Sequence, residues 1–254
     1  MIAAHIDSYR RGLREALQAS AADGYRLLHA GTVETELDPA RFSHSARRHL
    51  SKYLADLGLR LAGLSAEFPG LGLGDPQTAD ARLAHVRATL EMCAEMRLPV
   101  AVVSLRGLGD ATGGSVASQV ASQLADLADR AGVRVALATG DDDPTRVLES
   151  VRTLGCPNLG LAIDSAARGI APAAACAGGV EIASVTLRDV HRSGGGVEET
   201  RFGGGDVDFA ALLAELAAGD YRGELVIHRR QPGVDGMRQA REYIDSLATA
   251  ARRG

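Results

Sequence analysis

Eight short apolar runs recur along this chain, and a longer stretch with helical period follows almost every one. That alternation constrains the fold severely, because neighbouring parallel strands need a crossover long enough to hold a helix between them. The runs predict strands at residues 2–6, 26–30, 60–65, 100–104, 134–138, 159–164, 182–187 and 224–228. Helices are predicted at 13–22, 45–57, 79–96, 115–130, 145–154, 209–217 and 234–251. In 79–96, Leu83, Val86, Leu90 and Cys93 recur three or four residues apart and form one core-facing stripe. Gly24, Gly58, Gly132, Gly155 and Gly223 each precede a predicted strand, where a left-handed cap would end the helix before it. An open doubly wound sheet would place a glycine-rich phosphate turn after the first strand, and Asp7-Ser8-Tyr9-Arg10 supplies none. The expected fold is α/β, a single (β/α)8 TIM barrel over residues 1–254.

Bulk properties narrow the functional classes. Lys+Arg 28 against Asp+Glu 32 gives a net charge of -4, which offers no basic field for nucleic acid. Cys93, Cys156 and Cys176 are widely spaced, fit buried thiols in a reducing compartment, and form no metal-binding pair. No segment carries an apolar run long enough to span a bilayer or to serve as a signal peptide, so the expected location is cytoplasmic, with no membrane partner.

Active sites of such barrels lie at the C-terminal ends of the strands. Here those ends carry His5, His29, Ala138, Asp164, Thr186 and His228. Asp164 closes a nearly continuous apolar strand and is a candidate catalytic carboxylate; its bland alternative is a salt bridge to Arg168 or Arg188. His228 is the candidate general base, titrating near neutrality with Asp164 orienting it, and His29 is a further candidate catalytic group. The strands ending in His228, His5 and His29 are neighbours in a closed barrel, so these imidazoles could converge, and a relocated His-rich zinc site with Asp164 is a minor alternative. Arg192, His5, Thr186 and Arg229 are candidate substrate-binding residues; of Arg229 and Arg230, one is expected to point inward. The glycine-rich segments 107–114 and 193–205 read as βα loops, the second being either a phosphate site or a mobile polar lid. Asp141-Asp142-Asp143 before Pro144 reads as a helix-capping turn rather than a metal cluster.

Two stretches resemble the xylose isomerase-like TIM barrels, the broad group of sugar phosphate isomerases and epimerases. One runs from Phe202-Gly203-Gly204-Gly205-Asp206-Val207-Asp208-Phe209 to Tyr221-Arg222-Gly223-Glu224-Leu225-Val226-Ile227-His228. The other runs from Gly58-Leu59-Arg60-Leu61 through the 79–96 helix to Leu98-Pro99-Val100-Ala101-Val102-Val103, and Gly24-Tyr25-Arg26-Leu27-Leu28-His29 is similar to the family's second strand. The resemblance implies a divalent metal (Mn, Mg, Co or Zn) held by Glu, Asp, His and Glu at the ends of strands five to eight. Carried over by position, those ligands fall on Ala138, Asp164, Thr186 and His228; a further family His falls on Ala167, a second-strand Glu on His29, and a substrate-contacting Arg on Arg192. Alanine has no ligating atom and a neutral threonine hydroxyl is a poor ligand, which leaves two donors where catalytic sites offer three. The expectation is therefore an isomerase, epimerase or lyase acting on a small polar hydroxylated carbonyl or polyol substrate by acid–base chemistry. No cofactor is expected, with Mn, Mg or Zn on Asp164 and His228 as the disfavoured alternative. A non-catalytic ligand-binding or partner-subunit barrel is the second reading. A metal-dependent isomerase with relocated His ligands is the third, and homo-oligomer or partner subunit stays open.

Overall fold

The computed structural model describes residues 1–108, 115–194, 196–230 and 236–251. Eight parallel strands close into a barrel: β1 (Ile2–His5), β2 (Leu27–Gly31), β3 (Arg60–Ala66), β4 (Val100–Ser104), β5 (Arg134–Ala138), β6 (Leu159–Asp164), β7 (Ile182–Leu187) and, after an antiparallel hairpin of β8 (Val190–Ser193) and β9 (Gly196–Glu199), β10 (Leu225–Ile227). Helices α1 (Leu13–Ala22), α2 (His44–Asp56), α3 (Ala79–Met96), α4 (Val116–Ala131), α5 (Pro144–Leu154), α6 (Pro172–Ala177), α7 (Phe209–Ala218) and α8 (Met237–Ala251) belong to the crossovers and the closing segment. Their apolar faces and the outward residues of the strands share one core, which includes Leu17, Leu28, Leu64, Val86, Leu124, Leu137, Val185, Ile227 and Ile244. No described helix is long and apolar enough to cross a membrane.

Local chemistry explains the element boundaries. Asp143 accepts a hydrogen bond from the Arg146 amide and Pro144 opens α5, so the acidic run forms the capping turn its sequence implies. The other two carboxylates of the run also hold backbone: Asp142 accepts from the Gly107 and Leu108 amides, and Asp141 from that of Arg168. Gly132 and Gly155 take the left-handed caps expected of them at φ of 62° and 61°, but Gly223 does not, and Asp220 supplies the left-handed residue after α7 at φ 57°. Two further expectations need correction. Cys176 is exposed rather than core, and α8 begins at Met237, with residues 231–235 outside the described chain. The 107–114 loop lies largely outside it too.

Side chains alternate across each strand, so one residue in two faces the barrel axis. The lower interior holds Ala3, Leu27 and Val226 in one cluster and Val100, Val102, Ala136 and Ala183 in another. Above them the two halves of the mouth differ. On β1, β2 and β10 the next inward positions are His5, His29 and His228; on β5 and β6 the inward residues include Ala138 and Ala162, which leave space. Gly63 on β3 makes room for the imidazole side: a Cβ there would lie 2.5 Å from His29 Cε1 and 2.8 Å from Val100 Cγ1. Gly63→Ala should therefore destabilise the protein by about 1–3 kcal/mol through overpacking, read as a lower midpoint in urea unfolding with unchanged slope.

Candidate active site at the strand ends

The unfilled half of the mouth is a cavity of about 300 Å³ between β3 and β7. Its polar walls come from Glu67, Ser104, Arg106, Thr139, Asp141, Asp164, Thr186 and Arg188, with Arg230 at the rim; Asp141 uses Oδ1 to accept from the Arg168 amide. Val197 of the β8–β9 hairpin, exposed for an apolar side chain, leans over the opening.

Asp164 does not meet His228. Its carboxylate is taken by Arg188 in a two-point ion pair, Nε to Oδ1 at 3.2 Å and Nη2 to Oδ2 at 2.5 Å, and Oδ1 also accepts from the Ala166 amide. Ser165 fixes the arginine's backbone, accepting from the Arg188 amide at 2.8 Å and donating to its carbonyl at 2.6 Å. Burial disfavours the Arg188 charge, but Asp164 outweighs it, with Glu199 and Glu67 adding, so the guanidinium is held above its ordinary value. Across the mouth Glu67 receives two hydrogen bonds from Arg230, at 2.9 and 3.0 Å. Two carboxylates thus reach one cavity from the ends of β3 and β6, three places apart in the ring, and each carries its own guanidinium.

His5, His29 and His228 do converge, in the filled half. The His5 and His228 rings stack with centroids 3.9 Å apart and planes 10° apart, and His5 is the register partner of His29. His5 Nε2 is hydrogen-bonded to Ser65 Oγ at 2.9 Å, whereas His5 Nδ1 and His29 Nε2 find no hydrogen-bond partner in the described chain. The expected near-neutral titration is overturned. Burial pushes His5 and His29 down to about 3, the Arg230 charge adding at His5 and His5 adding at His29. His228 falls well below its ordinary value, through burial first and then His5, Arg230, Arg188 and His29. All three are neutral imidazoles at pH 7. Among the described residues no cluster of three or more His, Cys, Asp or Glu could hold a metal ion. The relocated three-histidine metal site is accordingly not formed. His228 does face Glu67, with Nδ1 4.0 Å from Oε2, so the histidine stack backs one of the two cavity carboxylates.

The remaining candidates separate. Thr186 lines the cavity, as does Ala138. Arg229 does not: it is buried, pairs with Glu199 at 3.3 Å, donates to the Thr200 carbonyl, and so ties the hairpin to β10. Arg230 is the inward one of the two. Arg192 sits on β8, its amide bonded to Asp206 Oδ2 at 2.6 Å, and it is not part of the cavity wall. The phosphate reading of the glycine-rich loop also fails for a physical reason. The amides of Gly203, Gly205 and Val207 donate to the buried carboxylate of Asp189, so their anion partner is already in the chain. Glu67, Arg188 and Arg106 were not anticipated as site residues. Both Arg188 and Glu67 lie one past the end of a strand and could have been found by counting in twos, from inward-facing Thr186 to Arg188 and from inward-facing Gly63 through Ser65 to Glu67.

A closed barrel of eight parallel strands with a concave, polar mouth at its C-terminal face defines a TIM-barrel protein. The sequence profile of the xylose isomerase-like TIM barrels matches residues 6–248, and the chain belongs to that family. Among curated proteins none matches. The fold is similar to a xylose isomerase domain protein from Planctomyces limnophilus (TM-score 0.81, 19% identity, 99% of this chain and 96% of that one). An L-ribulose 3-epimerase superposes with TM-score 0.75 at 20% identity over 99% of this chain and 95% of its own. A Mycobacterium smegmatis family protein in complex with magnesium does so with TM-score 0.75 at 14% identity over 99% and 97%.

The depressed histidines set a pH dependence of stability. Their folded-state values lie below that of an exposed histidine, about 6.5. As pH falls below that value the unfolded chain takes up protons that the folded chain refuses, so stability present above it is lost progressively towards pH 3. His29→Asn should flatten the loss between pH 6 and 4 by up to ~1.4 kcal/mol per pH unit, one proton's worth. Denaturant unfolding at several pH values checks this; an unchanged slope would mean that His29 titrates normally. Separately, Asp189→Ala should cost about 3 kcal/mol, because a charged acceptor of several buried amides is lost, and a melting curve unaltered by it would contradict that role.

Proposed function

We propose that this protein is an isomerase- or epimerase-like enzyme (lyase chemistry included) that moves a proton on a small hydroxylated carbonyl substrate without a divalent ion. The observation that carries the reading is the pair of carboxylates, Glu67 and Asp164, lining one polar cavity at the barrel's C-terminal face. Removal and return of a proton at a carbon next to a carbonyl needs one group to accept it and another to donate, and carboxylates on different walls of a small cavity can divide that work. His228, behind Glu67, positions that carboxylate. Its neutral imidazole is suited to hydrogen bonding rather than to charge at pH 7, as are those of His29 and His5.

The family's metal does not fit these residues. Of the four strand-end positions, Ala138 and Thr186 offer no anionic or imidazole donor, and the Asp164 oxygens are engaged by Arg188. Arg188 places a fixed positive charge beside the cavity, the electrostatic service that a cation would otherwise provide to an oxygen gaining charge. A second reading, a non-catalytic binding barrel, is favoured by one observation: both carboxylates already hold a guanidinium.

The two readings separate in a proton-exchange experiment. Incubated in D2O with a panel of ketoses, aldoses and their acids, chelator-treated protein should incorporate deuterium at the carbon next to the carbonyl of its substrate, seen by proton NMR. Glu67→Gln and Asp164→Asn should each lower that rate by about 10²–10⁴. Failure of every candidate to exchange, or full activity in both variants, would leave the binding barrel as the better account.

A further inference from the structure

We propose that the ligand of this cavity carries a carboxylate, a polyhydroxy acid rather than a neutral sugar or a phosphate ester, and that Arg106 is the residue that selects it. The inference rests on the cavity being the site proposed above and adds the class of molecule it takes.

The donors and acceptors of the wall are unequally used. The Asp164 carboxylate accepts three hydrogen bonds and Glu67 two from Arg230, out of about four that a carboxylate can take, so Glu67 keeps the larger share of free acceptor capacity. The guanidiniums keep donors in reserve. Arg188 spends Nε and Nη2 on Asp164, and its Nη1 makes no hydrogen bond. Arg106, just past the end of β4 and so next to β3, lies over Gly140, where a Cβ would come within 2.9 Å of its Nε, and its side chain makes no hydrogen bond or ion pair with the described residues. A wall with spare guanidinium N–H donors is complementary to a ligand that brings acceptors.

The guanidiniums are felt locally: Arg230 adds to burial in depressing His5, and Arg230 and Arg188 add to burial and His5 in depressing His228. Along the wall Arg106, Arg188 and Arg230 are matched in number by Glu67, Asp141 and Asp164, and two of the arginines are paired, so an anion is drawn to Arg106 in particular and not to a net positive field.

The form of the anion follows from what is missing. Phosphate sites in barrels are built mainly from backbone amides of a glycine-rich loop, and here the Gly203 and Gly205 amides are committed to Asp189. A free guanidinium edge can grip either anion, but with no cradle of amides for the remaining oxygens of a tetrahedral phosphate it suits the two-oxygen, planar carboxylate better.

Calorimetric titration at low salt with D-gluconate, D-glucuronate, D-glucose and D-glucose 6-phosphate tests this. At least one of the two sugar acids should bind ten-fold or more tightly than glucose and more tightly than the phosphate ester. Arg106→Ala should weaken that acid about ten-fold and leave the melting temperature unchanged, since the side chain is exposed and holds nothing in the fold. The proposal is overturned if neither acid binds, if glucose or the phosphate ester binds as tightly, or if Arg106→Ala changes nothing. The outcome is separable from that of the exchange experiment. Acid binding without exchange sinks the enzyme reading alone, and exchange on neutral sugars without acid binding sinks this proposal alone.

Discussion

The two-point ion pair between Asp164 and Arg188 organises the mouth of this barrel. It fixes a carboxylate and a guanidinium in one plane, half-buried, at the ends of adjacent strands. Removing either partner would leave the other charge in a poorly solvated place, a loss larger than the pair's net contribution to stability. The pair also settles what Asp164 can offer a ligand: a carboxylate already matched by a guanidinium, both lining the cavity, rather than a free carboxylate awaiting a cation.

Around that pair the interior divides by residue size. Alanines at 138 and 162 keep one side open, while His5, His29 and His228 fill the other, with Gly63 yielding the volume His29 needs. Filling half the mouth with imidazoles has an electrostatic consequence. All three are buried, His5 stacks on His228, and arginines face those two, so they stay neutral and bring hydrogen-bonding capacity without adding to the positive charge of the guanidiniums. Function then falls to the carboxylates and arginines of the open side, and the same arrangement makes the fold sensitive to acid.

Most of the architecture was legible from the chain. Strands β4, β5, β6 and β7 coincide with the apolar runs that predict them, because a strand buried on both faces needs a continuous apolar sequence and its ends are marked by Gly, Pro or charge. Helix α6, only six residues and rich in alanine, escaped, since so short a segment has no period to detect; so did the β8–β9 hairpin, whose strands are polar and pair only with each other. The site was legible in part. Strand-end counting located Asp164, Thr186 and the three histidines, and the salt bridge weighed for Asp164 against a catalytic role is formed, with Arg188; it could not tell that Asp189 consumes loop amides or that Arg230 rather than Arg229 reaches the cavity. Those are contacts between side chains on different elements, which no local period encodes. The near-neutral histidine was a reasonable default that burial overrides.

The central claim is that Arg188 holds Asp164 in the place where a family metal would otherwise be bound. Crystals grown from chelator-treated protein and soaked in manganese would test it directly through anomalous scattering at the strand ends. The account predicts no manganese peak in the mouth, with the guanidinium still paired to both Asp164 oxygens. A stoichiometric peak on Asp164, with Arg188 swung aside, would contradict it.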